Sequence, residues 1–215
     1  MQNSRNLEPI LTTLVTGDED AVFDALISLF PVDQMRSNVA LTDCLTAFGE
    51  GAADVFMRFA TRLGDDVARA ELLISATSHA RNYRNLALSD DLSKAASPKV
   101  RELGNDAELE RAKLLNDLGY EHYRAARFAE AEPLFTEALS IHRRVLGADH
   151  PDTATCLNNL AGLYRAQGRV AEAATMLKEA VEIMVRVLGA ENPNTKIVRE
   201  NYEGLLAEMK EKGAE

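Results

Sequence analysis

The side chains best suited to catalysis or metal binding in this 215-residue chain are four histidines and two cysteines. Such residues can ligate a metal ion or transfer protons when their spacing brings several of them together. They stand at His79, His122, His142, His150, Cys44 and Cys156. No two histidines are spaced i, i+4 with a third ligand in support, and no Cys-x-x-Cys pair occurs. We therefore expect no metal site, no cofactor and no disulfide framework.

Motifs of the common enzyme classes are also missing. The sequence has no Gly-x-Ser-x-Gly elbow, no phosphate-binding glycine loop, no His-Glu-x-x-His and no Gly-x-Gly-x-x-Gly. We predict that the chain is not an enzyme. One alternative stays open, a helical active site within residues 1–105, and a cluster of His79, Arg81, Arg84 and Asp90 around one pocket would favour it.

The charge of the chain restricts its partners. The formal net charge is -10, which repels nucleic acid and anionic membrane surfaces. The basic clusters Arg58/Arg62 and His142–Arg144 are interpreted as solvated faces of helices. The N-terminus lacks a secretory signal, and no apolar run reaches the length of a membrane span. We expect a cytoplasmic protein that binds neither nucleic acid nor membrane.

The C-terminal half contains an internal repeat, which indicates the helices on which its histidines, cysteine and charged residues lie. Residues 116–153 align with residues 158–195 at a constant offset of 42. The matching landmarks are Leu118/Leu160, Ala131/Ala173, Ala138/Ala180, Gly147/Gly189 and Pro151/Pro193. Apolar residues recur at helical spacing within each unit, and Ala and Leu, both strong helix formers, are frequent. The pattern predicts an array of stacked helices.

Each unit reads as two helices joined by a tight turn. The first helix is expected to end near Ala126 or Gly168, and the second at Gly147 or Gly189, which favour a left-handed backbone. Small residues stand where the two helices of a pair should approach. These are Gly119, Ala131, Ala138, Ala161, Ala173 and Ala180. Short side chains at such contacts are typical of a helix-hairpin solenoid.

These residues resemble the tetratricopeptide repeat. The matching positions are Leu118-Gly119, Ala126-Arg127-Phe128, Ala131, Phe135 and Ala138, then Leu160-Ala161, Tyr164, Gly168-Arg169-Val170, Ala173, Leu177 and Ala180. The 42-residue period, with LGADHPDT and LGAENPNT between units, resembles the kinesin-light-chain variety. The resemblance covers about residues 108–209. It implies an all-α protein with an α–α superhelix over residues 106–215, which ends in a capping helix at 194–210.

The N-terminal region, residues 1–105, also has a helical pattern. Predicted helices are Leu7–Val15, Asp18–Leu29, Asp33–Phe48, Ala52–Leu63, Asp66–Asn82 and a weaker one within Asp90–Leu103. Whether this region holds degenerate repeats or a distinct helical domain stays open. The polar stretch Ser89–Pro98 is the only candidate for a flexible link. Because about three repeat units are needed for stability, we expect the N-terminal helices or a second subunit to cover the start of the array. Self-association through these helices is one such arrangement.

In the tetratricopeptide family the first helices of successive units line a concave groove, and the resemblance implies the same here. It maps the groove onto Lys113, Asn116, Asp117, Tyr120, Arg124, Thr155, Asn158, Asn159, Gly162, Arg165, Glu200 and Asn201. Asparagine amides can donate to and accept from an extended peptide backbone, and arginines favour acidic side chains. Gly162 and Gly204 leave space beside them. The alternative at Asn158 and Asn159 is that their amides only bridge neighbouring helices.

The expected function is a protein-interaction scaffold or adaptor whose groove binds a protein or peptide partner, expected to be extended and acidic. The alternative is a regulatory or sensor subunit of a larger assembly that docks through its N-terminal helices.

Overall fold

A computed structural model describes residues 66–82, 84, 86–104 and 107–213. All regular secondary structure in these ranges is helical, as the all-α prediction requires. The helices are α1 (Asp66–Asn82), α2 (Leu86–Glu102), α3 (Glu108–Arg124), α4 (Phe128–Val145), α5 (Pro151–Ala166), α6 (Val170–Leu188) and α7 (Pro193–Gly213). The predicted helices before residue 66 lie outside the described residues.

The chain divides after Glu102 into two compact units. In the described part of the first unit, α1 packs against α2. In the second unit α3 pairs with α4 and α5 pairs with α6, while α4 contacts α5 and α6 contacts α7. The second unit is therefore two stacked helical hairpins followed by one helix.

Small side chains allow the helices of each hairpin to approach closely. Gly119 of α3 lies against the ring of Phe135 of α4, where an added Cβ would stand 2.9 Å from two ring carbons. The five predicted contact alanines, Ala131, Ala138, Ala161, Ala173 and Ala180, are completely buried. The predicted close contacts are confirmed, and they explain why residues of this size occur at a fixed spacing.

The 42-residue period is also present in the α1–α2 hairpin. Three short links join the helices of the hairpins, and the middle residue of each has a left-handed backbone: Arg84 (φ 63°), Ala126 (φ 57°) and Gly168 (φ 79°). These residues are 42 positions apart. Ala96 of α2 is completely buried, like its counterparts Ala138 and Ala180. The α1–α2 hairpin therefore shares a turn geometry and one buried alanine with the hairpins of the second unit, and whether it is a degenerate repeat stays a prediction.

Helix α1 coincides with the predicted helix, but the predicted flexible link is wrong. Ser89–Pro98 lies inside α2, which begins before the weaker helix that the sequence predicts. Two of its three serine hydroxyls bond to their own helix: Ser93 donates to the carbonyl of Asp90 at 2.9 Å and Ser97 to that of Ser93 at 3.0 Å. Pro98 does not end the helix. It is exposed, as is Lys94, whose carbonyl the proline leaves without its helical donor.

Helix α7 has the polar outer face expected of a terminal cap. It packs on α6 through buried residues that include Thr195, Val198 and Leu205. Glu203 stands 42 residues after Ala161 and is exposed. A charged side chain thus occupies the position at which Gly119 and Ala161 admit the second helix of their hairpins. This face of α7 is therefore compatible with solvent.

The two hairpins of the second unit are joined by a network around Arg169. Its guanidinium lies over the ring of Tyr164, 3.6 Å from the centroid. It also donates to Glu132 of α4 at 2.8 Å and to Glu172 at 2.7 Å. The bond from Arg169 lowers the pKa of the Glu132 carboxyl. One turn residue thus connects helices from successive units.

His142 belongs to the core, and its interpretation as part of a solvated basic face is wrong. It is 2 % exposed, and its Nδ1 lies 3.2 Å from Sγ of the buried Cys156 on α5. Burial lowers the pKa of His142 and raises that of Cys156 to about 12. Arg143 and Arg144 are exposed as expected, and they pair with acidic residues of other helices. At the next hairpin interface, 42 residues on, Met184 and Val198 replace the histidine and the cysteine.

Candidate functional site

The first helices of the second unit, α3, α5 and α7, line a groove of about 840 Å³. Nine of the twelve predicted residues line this groove: Asn116, Asp117, Tyr120, Thr155, Asn158, Asn159, Gly162, Arg165 and Asn201. The arrangement follows from the repeat, because residues 42 apart occupy the same face of successive first helices. Periodicity alone is therefore enough to bring most of these positions together.

The other three predicted residues, Lys113, Arg124 and Glu200, are exposed but do not line the groove. Arg124 donates to the carboxylate of Glu121 at 3.3 Å, within its own helix. Its guanidinium also lies 6.0 Å from the ring centroid of Tyr120. These contacts hold the Arg124 side chain against α3, beside Tyr120, which lines the groove.

Four asparagines form a hydrogen-bonded series across the three helices, which we name the asparagine ladder. Asn159 Nδ2 donates to Asn116 Oδ1 at 3.0 Å, which joins α5 to α3. Asn201 Nδ2 donates to Asn158 Oδ1 at 2.9 Å, which joins α7 to α5. Within α5, Asn158 Nδ2 approaches Asn159 Oδ1 at 3.5 Å. Both bonds between helices join residues 43 apart, one more than the repeat period.

The amides of the ladder bridge neighbouring helices, as the alternative for Asn158 and Asn159 predicts. These bonds do not use all the donors and acceptors of the four side chains. Each asparagine side chain has two N–H donors and an oxygen that accepts two bonds. Each helix-bridging bond uses one donor and one acceptor site. Asn116, Asn158 and Asn159 are half-buried and Asn201 is exposed, and all four line the groove. Donors and acceptors thus remain available at the groove surface.

The arginine in the groove is already paired. Arg165 of α5 donates to Glu208 of α7 through Nε at 3.1 Å and through a second, shorter contact from Nη2. These residues are also 43 apart, and the bond raises the pKa of Arg165. Charged residues of the lining are Asp117, Arg165 and Glu208. The groove is therefore not a basic surface, as the arginine positions alone would indicate.

Sequence reasoning missed six residues of the lining: Tyr123, Ala161, Ala166, Leu177, Ile197 and Glu208. The repeat itself contained a signal for two of them, because Ile197 stands 42 residues after Thr155 and Tyr123 stands 42 before Arg165. Tyr120 is 45 % exposed and Ile197 is 54 % exposed, which is high for large apolar side chains. The groove thus combines the polar ladder with open apolar surface.

Of the proposed enzyme cluster, the structure brings Arg81 and Asp90 together. Arg81 of α1 donates to Ser89 at 2.9 Å and lies 3.7 Å from Asp90, while Arg84 is exposed in the link. The side chain of His79 lies outside the described residues. Within the described ranges no group of three or more His, Cys, Asp or Glu side chains could hold a metal ion. No helix there is both long and apolar enough to cross a membrane.

The sequence profile of the tetratricopeptide repeat family matches residues 110–184 and 158–212. These matches span the helices that form the groove. Residues 110–212 of this chain are tetratricopeptide repeats. No curated protein sequence matches it significantly.

Solved structures agree with this tetratricopeptide fold. BtubC (BKLC) from P. vanneervenii is similar with a TM-score of 0.57 at 18 % identity, over 99 % of this chain and 92 % of that one. A putative kinesin light chain from Podosopora anserina with nearly identical TPR-like repeats has a TM-score of 0.63 at 16 % identity, over 85 % and 90 %. A variant of that protein gives a TM-score of 0.64 at the same identity and coverage. At these identities the likeness shows a shared fold, an all-α superhelix of helical repeats.

Proposed function

We propose that this protein is an interaction scaffold that binds an extended segment of a partner protein in the groove of α3, α5 and α7. Tetratricopeptide repeats are generally protein-interaction scaffolds. The observation that carries the proposal is the asparagine ladder. It places side-chain amides on α3, α5 and α7, the first helices of successive units, along one groove. An extended chain presents N–H and C=O groups at regular intervals, and amides can bond to both.

The ladder also prepares the amides for binding. Each inter-helix bond fixes the orientation of a side chain that would otherwise lose rotamer freedom when a partner binds. Such preorganisation lowers the entropic cost of association. Bridging the helices and holding a partner are thus compatible roles for the same residues.

The acidic character of the partner stays a prediction. The pair of Arg165 with Glu208 suggests how to test it. An acidic side chain of the partner would have to displace Glu208 from Arg165. The Glu208→Gln variant removes this competition. We expect it to bind an acidic peptide more tightly than the wild type does and a neutral peptide equally well. Equal affinities of both proteins for the acidic peptide would argue against an acidic partner.

The proposal is tested by selecting peptides of about 12 residues from a random display library on the full-length chain. Affinities of the selected peptides are then measured for the wild type and for the double variant Asn158→Ala/Asn159→Ala. We expect the double variant to lose about 1–3 kcal/mol of binding free energy, since hydrogen bonds to a desolvated partner are lost. Helical content should change little.

The control is Arg143→Ala on α4, which removes an exposed pair with Glu179 away from the groove lining. It should bind the peptides like the wild type. If the double variant also binds normally, the groove is not the binding site. If it unfolds, the ladder is needed for folding and the bridging role is the main one.

A further inference from the structure

The two helix-bridging bonds of the asparagine ladder are copies of each other, one repeat unit apart. Asn116 and Asn159 form the first pair, and both partners recur 42 residues later as Asn158 and Asn201. The second bond joins the same types of donor and acceptor atom at nearly the same length, 2.9 Å against 3.0 Å. The ladder therefore repeats with the spacing of neighbouring first helices, and packed helices lie about 8–10 Å apart.

Each pair keeps an N–H group for a ligand. An asparagine amide has two N–H donors, and the bridging bonds use one from Asn159 and one from Asn201. These two residues occupy equivalent positions on successive first helices, and both line the groove. Their second donors thus form an equivalent pair, one unit apart along the groove.

The period of the ladder distinguishes between two conformations of a bound segment. In a β-strand, groups on one side recur every second residue, about 6.8 Å apart, and the third residue faces the other way. In a polyproline II helix, groups on one side recur every third residue, about 9.3 Å apart. Only the second period falls within the helix spacing of about 8–10 Å. A polyproline II helix also has no internal hydrogen bonds, so its carbonyls can accept from both donors.

Aromatic surface beside the first pair suits the same conformation. Tyr120 and Tyr123 stand four and seven residues after Asn116, on the same face of α3, and both line the groove. Their ring centroids are 6.2 Å apart, and Tyr120 is 45 % exposed. Proline-rich segments in the polyproline II conformation dock in grooves that aromatic side chains line.

We propose that the groove binds its partner segment as a polyproline II helix, three residues per repeat unit, with the carbonyls of residues i and i+3 accepting from Asn159 and Asn201. Proline-containing segments are the class of ligand that fits, because proline prepares this conformation before binding. This inference rests on the proposed function, since it specifies the conformation of the segment that the groove holds.

The test scans the backbone of the peptides that are selected on the full-length wild-type chain. Each peptide bond is replaced in turn by an ester, which removes one N–H donor and weakens one carbonyl acceptor but changes the shape of the peptide little. We expect two esters three residues apart to weaken binding, each by about threefold to tenfold, the effect of one hydrogen bond. The selected peptides should also contain proline more often than the library does.

Single variants assign each sensitive ester to its asparagine. Asn159→Ala should lose the sensitivity to one ester and keep the other, and Asn201→Ala should show the reverse, because a missing donor cannot be lost a second time. Arg143→Ala on α4, the control, should keep both sensitivities. Each comparison is a ratio of two affinities for the same protein, so a general loss of stability does not produce the expected pattern.

Other patterns contradict the inference. Sensitive esters two residues apart, as in a β-strand, or at any other spacing would overturn it. A scan without sensitive esters, or sensitivities that both asparagine variants leave unchanged, would do the same. The proposed function then still stands if the Asn158→Ala/Asn159→Ala variant binds the peptides more weakly. A selection that yields no peptide, or peptides indifferent to that double variant, would overturn both.

Discussion

His142 shows how a single residue can make stability depend on pH. Burial lowers its pKa below the ordinary 6.5, while Asp152 opposes the shift and His150 and Lys113 add to it. The unfolded chain therefore binds the proton more readily than the folded one. The contribution of neutral His142 to the free energy of unfolding is therefore fully present above pH 6.5. It is lost as the pH falls below that value.

We predict that changing His142 and Cys156 together to Met and Val, the residues of the next interface, removes part of this acid sensitivity. Both replacements are apolar, and they are the buried residues Met184 and Val198 that stand at the equivalent positions 42 residues later. Melting temperatures of the wild type and the double variant should be compared at about pH 7.5 and about pH 5.5, on either side of the ordinary histidine pKa. The variant should lose fewer degrees, and an equal loss in both proteins would show that other groups cause it.

For individual residues, the sequence predicts some positions correctly and misassigns others. The groove positions follow from the period, so nine of them could be predicted. The pairing of Arg165 with Glu208 could not, because it follows an offset of 43 rather than 42 and depends on how successive helices are staggered. His142 is easily misassigned, because Arg143 and Arg144 follow it and the three look like one basic face.

At the scale of elements, the close contact between paired helices should be sensitive to side-chain volume. Ala173→Leu places additional carbons at a completely buried position of α6, and we expect a cost of about 1–3 kcal/mol in unfolding free energy. Ala171→Leu is the matched control, since the same change occurs on the same helix at an exposed site. Chemical denaturation of both variants measures the difference. Equal stabilities would mean that the hairpin core tolerates the added volume.

Helices α4 to α7 were predictable because Gly147, Gly189, Pro151 and Pro193 mark ends of these helices at a constant spacing. Helix α2 was harder. Its serines look like a linker in the sequence, but Ser93 and Ser97 donate to carbonyls of the same helix and Ser89 accepts from Arg81 of α1. Arg84 adopts the left-handed turn that glycine adopts at Gly168, so the residue type no longer indicates the turn.

At the scale of the whole molecule, we predict that residues 103–215 alone are less stable than the full chain, or self-associate. Repeat units gain stability from their neighbours, and this fragment has only two described hairpins and a final helix. Thermal melts followed by circular dichroism, with light scattering for the mass, measure both outcomes. A monomeric fragment as heat-resistant as the full chain would instead identify the N-terminal region as an independent domain.

The alternative role, a regulatory or sensor subunit, assigns partner docking to the first of the two compact units instead of the second. It predicts that a partner assembly is cross-linked to residues 1–102, whereas the scaffold role predicts cross-links to α3, α5 and α7. Mapping the cross-linked peptides of the full-length protein with its partner separates the two roles.

The constant stagger between first helices also makes the groove extendable. If a copy of residues 151–192 were inserted after Asn192, every bond of the ladder would keep its separation of 43, and one further pair of asparagines would face each other. The inserted block would begin with Pro151 and be followed by Pro193, so each helix would start with the residue it already uses. A single duplication could therefore lengthen the groove by one unit. Arg165 of the original unit would then face Ala166 of the inserted one, and the inserted Arg165 would take over the pair with Glu208.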